Sequence, residues 1–369
     1  MNGLSHSLVQ VPPGVQCFVG DEARRRRLIE DRVISVFEGW SYEEIIPPLF
    51  DYADVFAGQA LQTKTYSFVG RDGSLLALRP DFTSLLAKIA AGRLADRPAP
   101  IRLYYSGEVL RYEPPKAGRQ SELYQMGLEH LGSAPADADA EVLAIAAEAL
   151  AAAGVGGFVL TLGHVGVFNG LAALSGLAGP GLDALRERVE SKDGAGVRAL
   201  LPNATGPVAE ALERLTTLAG DVSVLAEAEA RLALAPAALA AIRELRAVVE
   251  ALSAAGLADR LAVDLGDVRG LDYYTGLVFR AYAPGLGFEV GSGGRYDTLL
   301  ARFGRPLPAV GFMLGLDRMA LLLERQGRRP ETASPPAETI PGGTLGERLR
   351  RARERRLAGA RVCVEGGQR

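Results

Sequence analysis

The chain is poor in several residue types that would mark common kinds of chemistry: its 369 residues include two cysteines, three histidines and four lysines. Cys17 and Cys363 stand near opposite ends, and with so few histidines they cannot supply the ligand spacing of a four-coordinate zinc site, so both are expected as reduced thiols and no metal is expected. Only Lys64, Lys88, Lys116 and Lys192 are candidates for lysine-based phosphate or Schiff-base chemistry. Neither a dinucleotide fingerprint after a strand nor a G-x-x-x-x-G-K-[ST] phosphate loop occurs. No stretch of about 18 apolar residues exists, and Met1 to Val15 lacks a basic segment followed by an apolar run, so neither membrane spanning nor secretion is expected and the expected compartment is the cytoplasm. The 41 basic and 44 acidic residues leave a formal charge of −3, which gives no global pull towards a phosphate backbone.

What is present is the material for a substantial core, with 48% apolar residues in a length that suits two or three domains. Asp21 to Trp40 has helical spacing of Leu28, Ile29, Val33, Ile34 and Phe37, and its arginine run Arg24 to Arg27 reads as a solvated helix face rather than a nucleic-acid arm. Strand-like runs follow at Glu43 to Phe50, Leu75 to Arg79, Ile101 to Arg111 and Glu122 to Leu131, with one helix over Thr83 to Ala91. Hairpin-like spacing without βαβ alternation favours an α+β fold with an antiparallel sheet. An alanine-rich helix is expected over Asp137 to Ala153 and a strand over Gly157 to Leu162.

From Val165 to Ala258 the chain is dominated by Leu and Ala with breaks at Gly179-Pro180, Pro202 and Pro236, which predicts an all-helical insertion. Strand character returns at Leu261 to Val263, Leu277 to Ala283 and Phe288 to Val290, before a helix over Leu316 to Glu324. Residues 1–164 and 259–325 are thus expected as one discontinuous core, 165–258 as the insertion, and 326–369 as a linker, over Gln326 to Gly343, with a short Arg-rich tail.

The strand Glu122 to Leu131 carries the densest chemistry. Alternation places Leu123, Gln125, Gly127, Glu129 and Leu131 on one face and Tyr124, Met126, Leu128 and His130 on the other. An amide and a carboxylate flanking a glycine offer acceptors and room for a small cationic or NH-bearing ligand. Arg79-Pro80-Asp81-Phe82-Thr83 adds a carboxylate and a hydroxyl at a strand end, where Asp81 is equally placed to cap a helix. Val268 to Gly276 combines Arg269, Asp272, Tyr273 and Tyr274, and Gly291 to Asp297 supplies glycines where a backbone approaches a ligand or another strand. Arginine is expected to do the anion work, through Arg111, Arg119, Arg269 and Arg318.

These segments, in order, resemble class II aminoacyl-tRNA synthetases, and specifically the histidyl-tRNA synthetase core over about residues 10 to 325. Glu43 to Phe56, Glu108 to Leu131 and Gly311 to Leu323 resemble its three class motifs, and Arg269 to Tyr274 and Gly291 to Asp297 its two histidine motifs. The resemblance implies a histidine pocket with Asp81, Thr83 and Gln125 on the α-amino group, Glu129 and Tyr274 beside Tyr273 on the imidazole, and Arg111 or Arg269 on the carboxylate. Arg119 and Arg318 would be residual nucleotide or anion contacts.

Three departures retune the pattern. Leu123 stands where a synthetase carries an aromatic to stack adenine, Ser121 where it carries an arginine, and Phe82 where it carries glycine, which should crowd the pocket entrance. After Glu324 the sequence offers a linker and tail in place of a large anticodon-binding domain, so tRNA is not expected as a partner. In this combination the chain is similar to the regulatory subunit family of ATP phosphoribosyltransferase. That resemblance implies a non-catalytic homodimer through the core, within a hetero-oligomer with the short-form catalytic subunit, no cofactor, and histidine as feedback effector. Histidine would close the Arg269 and Gly291 loops. The competing expectations are a truncated histidine-activating enzyme and a sensor of uncharged tRNA acting through the Arg-rich tail.

Overall fold

A computed structural model describes residues 11–57, 64–112, 120–201, 206–268, 273–328 and 337–364. Its contacts divide the chain into two units, residues 1–330 and 331–369.

In the first unit the strands in chain order are β1 (Glu43–Glu44), β2 (Phe50–Tyr52), β3 (Ser67–Val69), β4 (Leu75–Leu78), β5 (Ile101–Leu110), β6 (Glu122–Leu131), β7 (Val159–His164), β8 (Ala219–Gly220), β9 (Leu261–Asp264), β10 (Leu277–Tyr282), β11 (Gly291–Arg295) and β12 (Ala309–Gly315). Nine of them form a sheet ordered β1-β5-β6-β12-β11-β10-β7-β9-β8, antiparallel except at the β1–β5 and β7–β9 pairs. Its spine is the long pair β5–β6, in register from Ile101 opposite Leu131 to Leu110 opposite Glu122. A small sheet β2-β4-β3 lies apart from it.

The alternation of β6 is realised with both faces buried. Met126 and Leu128 join the main core with Phe37, whose ring lies 5.8 Å from both Tyr104 and Phe312, under the helices Gly20–Gly39 and Asp137–Ala152. Leu131 on the other face joins a second core with Phe82, Tyr105 and Tyr296. In the arginine run Arg24 and Arg27 are exposed, Arg27 pairing with its helix neighbour Glu30 at 2.6 Å, while Arg26 is tied to Asp317 at 2.6 Å.

The described residues of 165–258 carry six α-helices whose buried leucines and alanines extend the main core. Pro180, Pro207 and Pro236 each stand in the first turn of a helix, where the missing N–H leaves no bond unmade. The segment is not wholly helical, because β8 adds an edge to the sheet through Ala219 and Gly220.

Four expectations are corrected. Glu43 to Phe50 does not run as one strand, because Pro47 and Pro48 cannot donate to a ladder, and β1 and β2 join different sheets. Phe288 to Val290 precedes a strand rather than forming one, and the glycine-rich stretch expected as a loop is β11, between β10 and β12. Within the expected linker, Glu338–Ile340 is a strand, β13, paired in parallel with β14 (Val362–Val364).

In the second unit the helix Leu345–Leu357 connects β13 to β14, with Ile340 and Ala352 buried. Thr344 and Glu347 cap it reciprocally: the Thr344 hydroxyl accepts the Glu347 N–H, and the Glu347 carboxylate accepts the Thr344 N–H at 2.8 Å. Thr344→Ala is expected to cost about 1 kcal/mol of local helix stability, read as roughly fivefold faster amide exchange in its first turn. Unchanged exchange would show that the cap is idle.

Candidate ligand pocket

A cavity of about 310 Å³ opens over the β6 face that bears Gln125 and Glu129. Its wall begins where β4 ends. Asp81 accepts the backbone N–H of Ser84 at 2.7 Å and the Ser84 hydroxyl at 3.2 Å, which starts the helix Thr83–Ala91, so Asp81 caps a helix and also lines the cavity. Burial pushes its carboxyl up, with the Ser84 bonds and the Arg111 charge acting the other way.

Thr83, the next polar residue, donates its hydroxyl to Glu129 Oε1 at 2.7 Å, and the Tyr296 hydroxyl donates to Glu129 Oε2. Glu129 is 1% exposed and has no basic partner in direct contact among the described residues. Burial pushes its carboxyl up to about 8; the Tyr296 and Thr83 donors oppose that rise and the Asp81 charge adds to it. A Cβ on Gly311, across the β6–β12 pair, would collide with Glu129 Oε2, so glycine there clears space for the carboxylate.

Four tyrosines surround this carboxyl. The Tyr273 ring lies 5.1 Å from Tyr274 and 5.7 Å from Tyr296, and Tyr274 packs against Gly294, where a Cβ would stand 2.9 Å from its ring atoms. Tyr105 completes the set. Burial raises all four phenols, so they remain neutral hydrogen-bond donors at physiological pH. Gly127 does not clear room for a ligand as expected: its Cβ would strike Phe312 O and the Tyr105 hydroxyl, so the glycine accommodates Tyr105.

The charged end of the cavity has more bases than acids, with Lys64, Arg111, Arg280 and Arg318 against Asp81, Asp267 and Glu289. Arg111 donates from Nε to Pro80 O at 2.7 Å and lines the space. Arg318 donates to Glu289 O at 2.8 Å and pairs with Glu289 Oε1 at 2.9 Å, while Arg280 pairs with Asp267 at 2.7 Å. Lys64 also reaches the lining. Arg119 and Arg269 lie outside the described residues. The structure therefore brings Asp81, Thr83, Arg111, Gln125, Tyr273, Tyr274 and Arg318 to one cavity, with Glu129 beneath them.

Residues not singled out from sequence complete it: Tyr105, Tyr296, Asp267, Arg280 and Glu289. Tyr296 lies in the Gly291 to Asp297 segment, next to Arg295. That arginine faces away from ligand chemistry, buried in ion pairs with Asp139 at 2.6 Å and Asp297 at 2.9 Å. Phe82 does not crowd the entrance. Its ring is 1% exposed and stacks on Tyr105 at 4.0 Å, so it is wall rather than gate. Leu123 packs against the second core, and the Ser121 hydroxyl accepts from Tyr66 at 3.2 Å. Among the described residues, no cluster of three His, Cys, Asp or Glu side chains stands where a metal could be held. None of the helices there is long and apolar enough to cross a membrane.

The family model described as "Histidyl-tRNA synthetase" matches residues 14–319. The protein from Moorella thermoacetica called ATP phosphoribosyltransferase regulatory subunit is 40% identical over 98% of this chain and 93% of its own length. A protein of the same name from Geobacter metallireducens is 41% identical over 86% of this chain and 74% of its own. Among solved structures, an "ATP phosphoribosyltransferase regulatory subunit/histidyl-tRNA synthetase" from Bacillus halodurans C superposes with a TM-score of 0.86 at 28% identity, over 98% of this chain and 93% of that one. A "Histidine--tRNA ligase subunit" from Alicyclobacillus acidocaldarius gives 0.73 at 34%, over 86% and 98%. With the sheet of a class II synthetase core, and with relatives that align along nearly all of its length, the chain belongs to the family of ATP phosphoribosyltransferase regulatory subunits.

Proposed function

We propose that this chain is the non-catalytic regulatory subunit of ATP phosphoribosyltransferase, that it binds free histidine in the cavity above Glu129, and that it passes histidine feedback to a short-form catalytic subunit. The complex would be a glycosyltransferase acting at the first step of histidine biosynthesis in the cytoplasm. The single observation that carries the effector reading is Glu129: a buried carboxyl held by two hydroxyls and ringed by tyrosines suits an NH-rich ring better than a phosphate or a second acid.

In this reading Asp81, Thr83 and Gln125 accept from the α-amino group, Glu129 with Tyr273 and Tyr274 reads the imidazole, and Arg111 or Arg269 holds the carboxylate. Arg119 and Arg318 would be residual anion contacts. Self-association would use the face where Ile46, Leu49, Phe50 and Tyr52 are exposed. Feedback requires histidine to bind the less active state of the assembly more tightly, and by linkage the catalytic subunit's substrates then weaken histidine binding.

Calorimetry on the complex with a short catalytic subunit tests the reading, with one histidine bound per chain and inhibition following occupancy as the expected result. Absence of binding refutes it. Histidine-dependent exchange of pyrophosphate into ATP by the purified chain would instead establish a histidine-activating enzyme. Salt-sensitive retention of tRNA, lost with Thr344 to Arg369, would establish the sensor.

A further inference from the structure

Arg79 is 6% exposed, and among the described residues its one ion pair is a long one, from Nη2 to Glu108 Oε2 at 4.0 Å. Backbone carbonyls hold it instead. Its Nε donates to Glu108 O at 2.6 Å and its Nη1 to Pro47 O at 2.9 Å, with Pro48 O at 3.4 Å. Its own N–H donates to Leu49 O at 2.9 Å, and its carbonyl accepts the Leu110 N–H at 3.0 Å. The guanidinium carbon sits 4.3 Å above the Phe82 ring, which stacks on Tyr105. Gly107 leaves the space this needs, since a Cβ there would stand 2.7 Å from Arg79 Nη2. A buried arginine spread over carbonyls is a costly way to fix a turn, because its charge is desolvated and its one close counter-ion, Glu108, is half-exposed and 4.0 Å away.

The two ends of this arrangement differ in kind. On one side the chain runs directly into the cavity: Pro80 O is held by Arg111, and Asp81, Phe82 and Thr83 follow. On the other side the three carbonyls of Pro47, Pro48 and Leu49 belong to an exposed apolar ridge, with Ile46 at 85% and Tyr52 at 56% exposure. Phe50 of that ridge packs edge-on against Phe68 of the small sheet.

We propose that Arg79 is a positioning residue that couples occupancy of the cavity to the conformation of the Ile46 to Tyr52 ridge. This rests on the histidine reading of the cavity. A ligand that draws Asp81, Thr83 and Arg111 together shifts the Arg79–Thr83 segment, and the guanidinium carries that shift to the ridge carbonyls as one rigid fork. Lysine keeps the charge and loses the fork.

The test is amide exchange of the 42–52 peptide with and without saturating histidine, together with calorimetric histidine binding, in the full chain. In the wild type histidine is expected to slow exchange there about fivefold or more, the lower range of measured couplings between sites. In Arg79→Lys and in the milder Gly107→Ala, which displaces the guanidinium with a single methyl, histidine should bind within about threefold of wild type while the slowing is lost. A merely structural role would lower thermal stability and leave the histidine-dependent difference intact, and that result overturns the proposal. So does histidine binding to the wild type without any change at 42–52, which leaves the effector reading standing. No histidine binding at all removes both. Should Arg79→Lys fail to fold, Gly107→Ala decides by the same criteria.

Discussion

Glu129→Ala is expected to weaken histidine binding roughly 100-fold or more, about 3 kcal/mol, and to release the assembly from feedback at histidine concentrations that silence the wild type. Two losses add up. An acceptor for an imidazole N–H disappears, and the Thr83 and Tyr296 hydroxyls, which both donate to Glu129, are left buried beside a void. Glu129→Gln keeps the shape and one acceptor but offers an N–H where an acceptor stood, so it should fall between wild type and alanine. Calorimetric titration of the three proteins gives the order. Binding by the alanine variant within about threefold of wild type would place the imidazole elsewhere.

The second large effect concerns stability against pH. The Glu129 carboxyl ionises at about 8 in the folded protein against an ordinary 4.5, so the folded state holds its proton more tightly than the unfolded chain does. The stabilisation from that proton is fully present below pH 4.5, falls by about 1.4 kcal/mol per unit as pH rises, and is gone above about 8. From pH 5 to 8 the wild type should therefore lose on the order of 4 kcal/mol that Glu129→Gln, which cannot titrate, does not lose. Asp81, also raised by burial, acts in the same direction. His130 and His164, both lowered by burial, act in the opposite sense, with stability lost as pH falls. The difference between wild-type and Glu129→Gln denaturation midpoints isolates Glu129, and parallel pH profiles would mean that it ionises at an ordinary value.

How far the sequence carried depends on which physical rule governed each element. The strand Glu122–Leu131 and the helix Thr83–Ala91 were legible to the residue, because strict alternation and a cap followed by helical spacing leave little choice. The strand Gly291–Arg295 was not, because glycine has low strand propensity and only its neighbours justify it: a Cβ on Gly293 would stand 2.7 Å from the Phe279 ring. The same blindness hid the purpose of Gly127, since no local pattern reports a tyrosine arriving from β5. Asp81, Thr83, Arg111, Gln125, Tyr273, Tyr274 and Arg318, recognised by type, line one cavity, but Tyr296, Arg280 and Glu289 were missed because their place there depends on which strand lies next to which. The role of Arg295 was hidden for the related reason that its partner Asp139 is 156 residues away in the chain.

The floor of the cavity has a consequence for how the molecule is made. Glu129 precedes the helical insertion, while Tyr296 and Gly311, which hold and shape it, follow it, and the Glu129–Tyr296 bond spans 167 residues. Nothing synthesised before about residue 315 can carry a finished cavity. A growing chain on the ribosome therefore displays half of a strand ladder, with a carboxyl and no hydroxyl to meet it, through the whole translation of the insertion. Pairings this distant in sequence close slowly, because the loop must be ordered before the contact repays it. The finished cavity is thus among the last features the chain acquires.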